Sequence, residues 1–121
     1  MTAYLYIAAG GALGSIGRYW MAGLVDSRFN SDFPWGTLTV NILGSFVIGV
    51  LAGMDSLSQQ GRLFLMVGLC GGFTTFSAFS QQTLNLIRDG LLLRAGSNIL
   101  LSVMLCLLAT WLGMLLVQRP A

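Results

Sequence analysis

The stretch Gly71-Gly72-Phe73-Thr74-Thr75-Phe76-Ser77-Ala78-Phe79-Ser80 lies in the middle of an apolar run, residues 63–87, that is long enough to cross a bilayer. Two glycines and two threonines weaken a helix there. Lipid offers no water to the backbone groups that a break sets free. Irregular backbone at membrane depth is tolerated only where protein buries it or where it lines a polar cavity. An interrupted transmembrane helix is therefore a pointer to an ion or substrate site.

The composition around that run fits an integral membrane protein. Of the 121 residues, 55% are apolar and 8% are charged, against about 25% charged in an ordinary soluble domain. Four apolar spans are predicted, at 4–25, 33–54, 63–87 and 91–117, each reaching the ~20 residues a bilayer crossing needs. The short connections between them hold nearly all the charge, so residues 1–121 read as a single four-helix transmembrane domain, all α. The first span is too long for a signal peptide, lacks a basic start and has no clear small-residue cleavage site, so it is retained. Cys70 and Cys106 fall inside spans and read as small buried apolar residues. Histidine is absent, and all six cationic side chains are arginine. No nucleophile–base pair or metal-ligand cluster can be assembled, which argues against an enzyme. Nothing in the composition points to nucleic acid.

Charge gives the chain little to orient itself by. With the N-terminus inside, the inner ends carry Arg62 and Arg119 and the outer loops carry Arg28, Arg88 and Arg94. That near balance leaves the positive-inside rule almost nothing to read and permits insertion in both orientations. The pairs Gly10 and Gly14, Gly11 and Ser15, and Gly68 and Gly72 stand four apart, a spacing that lets helices approach closely in lipid. With sixteen glycines in total, some of this packing is expected to join two chains. A homodimer is the simplest closed assembly.

Two polar tracks run along the spans. Thr37, Asn41 and Ser45 share one helix face, and Asn98, Ser102, Cys106 and Thr110 share another. Isolated hydroxyls in such places often do no more than bond between helices. Buried asparagines are harder to dismiss, because an amide has four hydrogen-bonding positions to satisfy and can donate to an anion. The acidic residues Asp26, Asp32, Asp55 and Asp89 all fall at loops or span ends. Proton-coupled transporters rely on an ionisable group inside the membrane, and no span interior holds a carboxylate. Arg18 is the one charge well inside a span, where it can hold exposed backbone, attract an anion in a vestibule, or snorkel to the interface. Aromatic rings are positive at their edges. Phe73, Phe76 and Phe79, each about one helical turn apart, can therefore turn those edges toward a small anion.

The quoted stretch resembles the GGxTTFSTFS signature of the small fluoride channels, the Fluc or CrcB family. Gly10-Gly11-Ala12-Leu13-Gly14-Ser15 leading to Arg18-Tyr19 is similar to the family's first-span motif. Gly36-Thr37-Leu38 with Val40-Asn41-Ile42-Leu43-Gly44-Ser45-Phe46 is similar to its second. The resemblance implies a passive, fluoride-selective channel in the bacterial inner membrane, exporting cytoplasmic fluoride and conferring fluoride resistance. It implies an antiparallel, dual-topology homodimer in the lipid bilayer with two pores, each built from both chains. Phe76, Phe79 and Asn41 map to the fluoride pore, with Ser77 and Thr37 beside them. Ser102 is the best-placed residue of the fourth-span track, with Asn98 and Cys106 weaker candidates. A structural sodium ion, not transported, is implied at the dimer interface on the main-chain carbonyls of Gly71 and Thr74. Arg18 maps to the first-span arginine, as vestibule or structural charge. One departure is Ala78, where the family often has Thr; a hydroxyl is lost, and conduction is expected to survive.

Two other classes fit the size. A dual-topology drug/proton antiporter predicts a membrane-embedded Asp or Glu. A non-transporting membrane scaffold subunit explains the glycines but not a broken helix set among polar groups.

Overall fold

The computed structural model describes residues 1–117, and every regular element among them is helical. Arg119, counted above in the charge balance, lies outside the described residues. Helix α1 is Thr2–Arg28 and α2 is Trp35–Ala52. Helix α3, residues 59–73, begins with a turn at Gln59–Gly61, continues as a π-helix over Arg62–Cys70 and ends in an α-turn at Gly71–Phe73. Helix α4 is Phe76–Arg88 and α5 is Leu92–Val117. In lipid only such internally bonded structure keeps its polar backbone satisfied.

Trp35–Ala52, Gln59–Arg88 and Leu92–Val117 are long and apolar enough to cross a membrane. Helix α1 has the length, at 27 residues, but is not in that group. Its glycines together with Ser15, Arg18, Asp26 and Arg28 dilute its apolar surface. Helix boundaries extend beyond the predicted first and third spans, stop short of the second at both ends, and begin one residue late in the fourth.

The third span is interrupted as the glycines and threonines suggest. Thr74 and Thr75 are extended, with φ/ψ of −92/159° and −151/123°. The π-helix before the break was not legible in the sequence. Its widened ladder shows at its end, where the Gly71 N–H donates to the Met66 carbonyl as well as to that of Gly68. Long π-stretches are rare and concentrate at functional sites.

Each connection has a local cause. The Asp26 carboxylate accepts from the Gly36 N–H at 2.8 Å, satisfying one of the donors that the start of α2 leaves free. Phe29 and Phe33 both stack on Trp35, and Arg94 pairs with Asp32 at 3.0 Å on the surface. Between α4 and α5 the chain turns at Gly90, whose φ of +78° suits glycine alone. The Leu91 N–H reaches back to the Leu86 carbonyl and the Gly90 N–H to that of Ile87, closing the turn in the Schellman manner.

Helix α2 packs most extensively on α5, and α1 on α3. The second contact runs backbone to backbone. A Cβ on Gly10 would overlap the Phe64 carbonyl, and one on Gly14 the Leu69 carbonyl. The spacing of Gly10, Gly14, Gly68 and Gly72 thus serves packing within one chain. Gly96, by contrast, has nothing within 4 Å of a built Cβ.

Gly14→Ala is expected to force α1 away from α3 and cost about 1–3 kcal/mol, the usual range for overpacking. Gly96→Ala, with open space around a built Cβ, is expected to cost nothing and to gain up to about 1 kcal/mol of helix propensity. Thermal unfolding of the two variants in detergent checks this, and equal midpoints would remove the close crossing from the account.

Candidate functional site

The break frees polar backbone, and two side chains take it up. The Thr75 N–H donates to Asn41 Oδ1 at 2.8 Å, and Asn41 Nδ2 donates to the Thr75 carbonyl at 3.0 Å. One carboxamide therefore satisfies both polar groups of a single extended residue. Thr75 also caps α4, its hydroxyl accepting from the Ala78 N–H at 3.1 Å. Thr74 bonds backward, with both its N–H and its hydroxyl donating to the Cys70 carbonyl at 3.0 and 2.9 Å.

These bonds change what the break offers. In an unbroken helix the Thr75 N–H would go to the Gly71 carbonyl and the Ala78 N–H to that of Thr74. Here Asn41 and the Thr75 hydroxyl take those donors instead. The Gly71 and Thr74 carbonyls lose their helical partners. They are hard oxygen atoms of the kind an alkali cation prefers. At the same point the first turn of α4 begins, with N–H groups that favour negative charge. The break thus sets the negative end of α3 beside the positive end of α4.

Two clefts meet at Thr75. The first, about 440 Å³, lies against α2, α3, α4 and α5. It brings together Asn41, Ser45, Gly71, Thr74, Phe76, Phe79, Ser102 and Cys106. The Phe76 and Phe79 rings stand 5.4 Å apart at 43°, and Phe76 is 78% exposed. The second cleft, about 520 Å³, is lined by Arg18, Asp26, Thr37, Ala78 and Gln82, among others. Thr37 lines the second cleft and Asn41 the first, with Thr75 on both. Ser77 lines neither cleft; it is exposed and shares a 3.3 Å hydrogen bond with the Thr75 hydroxyl. Phe73 turns away from the anion-facing role open to it in the sequence and lies within 3.6 Å of a Cβ built on Gly17.

Arg18 does one of the things its position allows. Its Nε donates to the Gly72 carbonyl at 3.0 Å, holding the last turn of α3, and its guanidinium lines the second cleft. On the fourth-span track, Thr110 donates to the Ser45 carbonyl at 3.0 Å. Asn98 is 1% exposed and bonded to Thr83 and Ser102. Cys70 and Cys106 are free thiols. Among the described residues no group of three or more His, Cys, Asp or Glu is poised to hold a metal.

Two residues that the sequence did not single out matter here. Thr83 is buried and anchors Asn98. Its place one turn after Phe79 was a usable signal. Gln82 lines the second cleft and the acidic third cleft beside it, and its Oε1 is buried with no hydrogen-bond partner.

The family model described as CrcB-like protein, Camphor Resistance (CrcB), matches residues 5–114. The chain is similar to three proteins called fluoride-specific ion channel FluC. That of Opitutus terrae is 55% identical over 93% of this chain and 90% of its own length. That of Methylocella silvestris is 52% identical over 91% and 88%, and that of Rhodospirillum rubrum 52% over 91% and 90%.

Asn41→Leu is expected to leave the Thr75 N–H and carbonyl unpaired, at about 1–3 kcal/mol each. Ser45→Ala, altering a hydroxyl on the same cleft, is expected to cost far less. Detergent melts of both variants check this, and an Asn41→Leu midpoint matching the parent would show that Asn41 does not hold the break.

Proposed function

The chain belongs to the CrcB-like family, and from that membership we propose that it is a passive fluoride-selective channel rather than an enzyme. The observation that carries this reading is the first cleft. An aromatic pair, an asparagine and a serine line it beside a two-residue break in a helix apolar enough to span a membrane.

Four spans, α1, α2, the broken α3–α4 unit and α5, form the proposed channel domain in a bacterial inner membrane. The near-balanced charge supports insertion in both orientations and an antiparallel homodimer. Dimerisation also gives the exposed Phe76 a partner surface. Two pores, each built from both chains, follow from the two-fold.

Fluoride enters a cell from mildly acidic surroundings as neutral HF and dissociates in the more alkaline cytoplasm. An inside-negative potential then favours exit of the anion by about 2.3 kcal/mol per charge for each 100 mV. No coupling proton is required, and all four carboxylates lie at helix ends or loops. Along the proposed path the ion exchanges water for protein donors. Asn41 has one N–H left after pairing Thr75. Phe76 and Phe79 offer ring edges. Arg18 lines the second cleft with Thr37 and offers positive charge there, partly offset by Asp26 on the same cleft. Ser102 supplies a hydroxyl on the cleft of the phenylalanine pair, and Ser77, bonded to the Thr75 hydroxyl, stands next to Phe76 as a further proposed donor. The lost hydroxyl at Ala78 belongs to the second cleft, and its N–H serves the Thr75 cap.

A structural sodium ion fits the donor set at the break. The Gly71 and Thr74 carbonyls are the residues that would hold it, and a second copy of the chain would double two oxygens to four. Bound there, it would supply positive charge that offsets the carbonyl dipoles of α3.

Purified protein in liposomes is expected to release fluoride and retain chloride. Phe79→Ile and Asn41→Asp are each expected to slow fluoride efflux about tenfold, the equivalent of ~1.4 kcal/mol. Unchanged efflux would remove these residues from the path, and no fluoride release by the parent protein would end the channel reading.

A further inference from the structure

Three buried side chains make a hydrogen-bonded chain whose direction is fixed by chemistry. The Thr83 hydroxyl donates to the Phe79 carbonyl at 2.7 Å, and a carbonyl has no proton to give in return. The single Thr83 proton is therefore committed, and its oxygen can only accept from Asn98. That requirement turns Asn98 Nδ2 toward Thr83, where it sits at 2.8 Å. The opposite orientation would press two acceptor oxygens together. With Nδ2 so placed, Asn98 Oδ1 faces Ser102 and takes the proton of its hydroxyl. Exposures of 7%, 1% and 8% for Thr83, Asn98 and Ser102 leave little water to compete.

Ser102 lines the first cleft. Asn98 Oδ1 is the acceptor within reach of its only proton, and while the proton is held there the hydroxyl offers the cleft lone pairs. Lone pairs repel an anion. The bond that holds the proton is long, however, at 3.4 Å, against the 2.7–2.8 Å usual between hydroxyl and oxygen. The two shorter links fix the orientation, and the third is the weak one.

We propose that Asn98, oriented by Thr83, is a positioning residue that parks the Ser102 proton and releases it to a passing anion. This rests on the fluoride-channel reading. As fluoride arrives, the hydroxyl rotates and donates to it, and Asn98 Oδ1 is left without a partner. An unpaired buried acceptor disfavours that state by roughly tenfold. The penalty keeps Ser102 from holding fluoride too firmly, because returning the proton to Asn98 helps expel the ion. Conduction needs this balance between entry and exit.

The test is fluoride efflux from liposomes over a range of fluoride concentrations, with half-saturation and maximal rate read separately. Asn98→Leu is near-isosteric and removes the parking oxygen. It is expected to lower half-saturating fluoride about five- to tenfold and to lower the maximal rate as well. In a Ser102→Ala background the same change is expected to leave half-saturation where Ser102→Ala alone puts it, since the two residues act through one proton. Thr83→Val, which frees the amide to rotate, is expected to move half-saturation the same way but less, and Thr83→Ser to restore it. This second pair carries the test if Asn98→Leu does not fold. Equal shifts in both backgrounds, or no shift from either Asn98→Leu or Thr83→Val, would overturn the proposal while leaving a conducting parent protein as a channel. A parent protein that conducts no fluoride would sink both.

Discussion

The Asn41 carboxamide on the backbone of Thr75 is the constraint on which the rest of the molecule depends. An extended residue between two helices has an N–H and a carbonyl with nowhere to go, and lipid supplies no substitute. Asn41 provides one donor and one acceptor at the spacing a backbone requires, 2.8 and 3.0 Å away. The side chain that looked like a pore ligand is first of all a structural clamp. Its remaining N–H is what it can give to an ion.

Other bonds follow from that clamp. Because the Thr75 N–H goes to Asn41, the Gly71 carbonyl is released; because the Thr75 hydroxyl caps α4, the Thr74 carbonyl is released with it. Arg18 steadies the neighbouring Gly72 carbonyl from α1, and α1 comes close enough because Gly10 and Gly14 carry no side chain. From the other side, a Cβ on Gly44 would strike the Thr74 methyl. Glycines on two helices thus give the break room, while an arginine and an asparagine hold its polar groups. The π-helical approach over Arg62–Cys70 widens α3 just before the break.

Much of this was legible in the sequence where one residue type has one plausible use in lipid. The glycine and threonine pairs foretold the break. Small residues four apart pointed to close helix packing without saying which helices meet. The first cleft gathers Phe76, Phe79, Asn41 and Ser102, a grouping that the resemblance implied and the tracks alone did not. What escaped depends on geometry that spacing does not encode. Thr37 and Asn41 are four residues apart on one helix, yet they line different clefts that share Thr75. Ser77 is one residue from Phe76 but lines neither cleft. The π-helix has no compositional mark, and the position of Thr83 one turn after Phe79 gains its meaning only from Asn98 against it. The weaker apolar character of α1 follows from the same glycines and Arg18 that make it useful.

The most direct test of the clamp is a trans-hydrogen-bond scalar coupling measurement by NMR on uniformly labelled protein in detergent. The account predicts that the Thr75 amide nitrogen correlates with the side-chain carbonyl carbon of Asn41. A correlation from Thr75 to the main-chain carbonyl carbon of Gly71 would mean that the helix runs on unbroken and would contradict it.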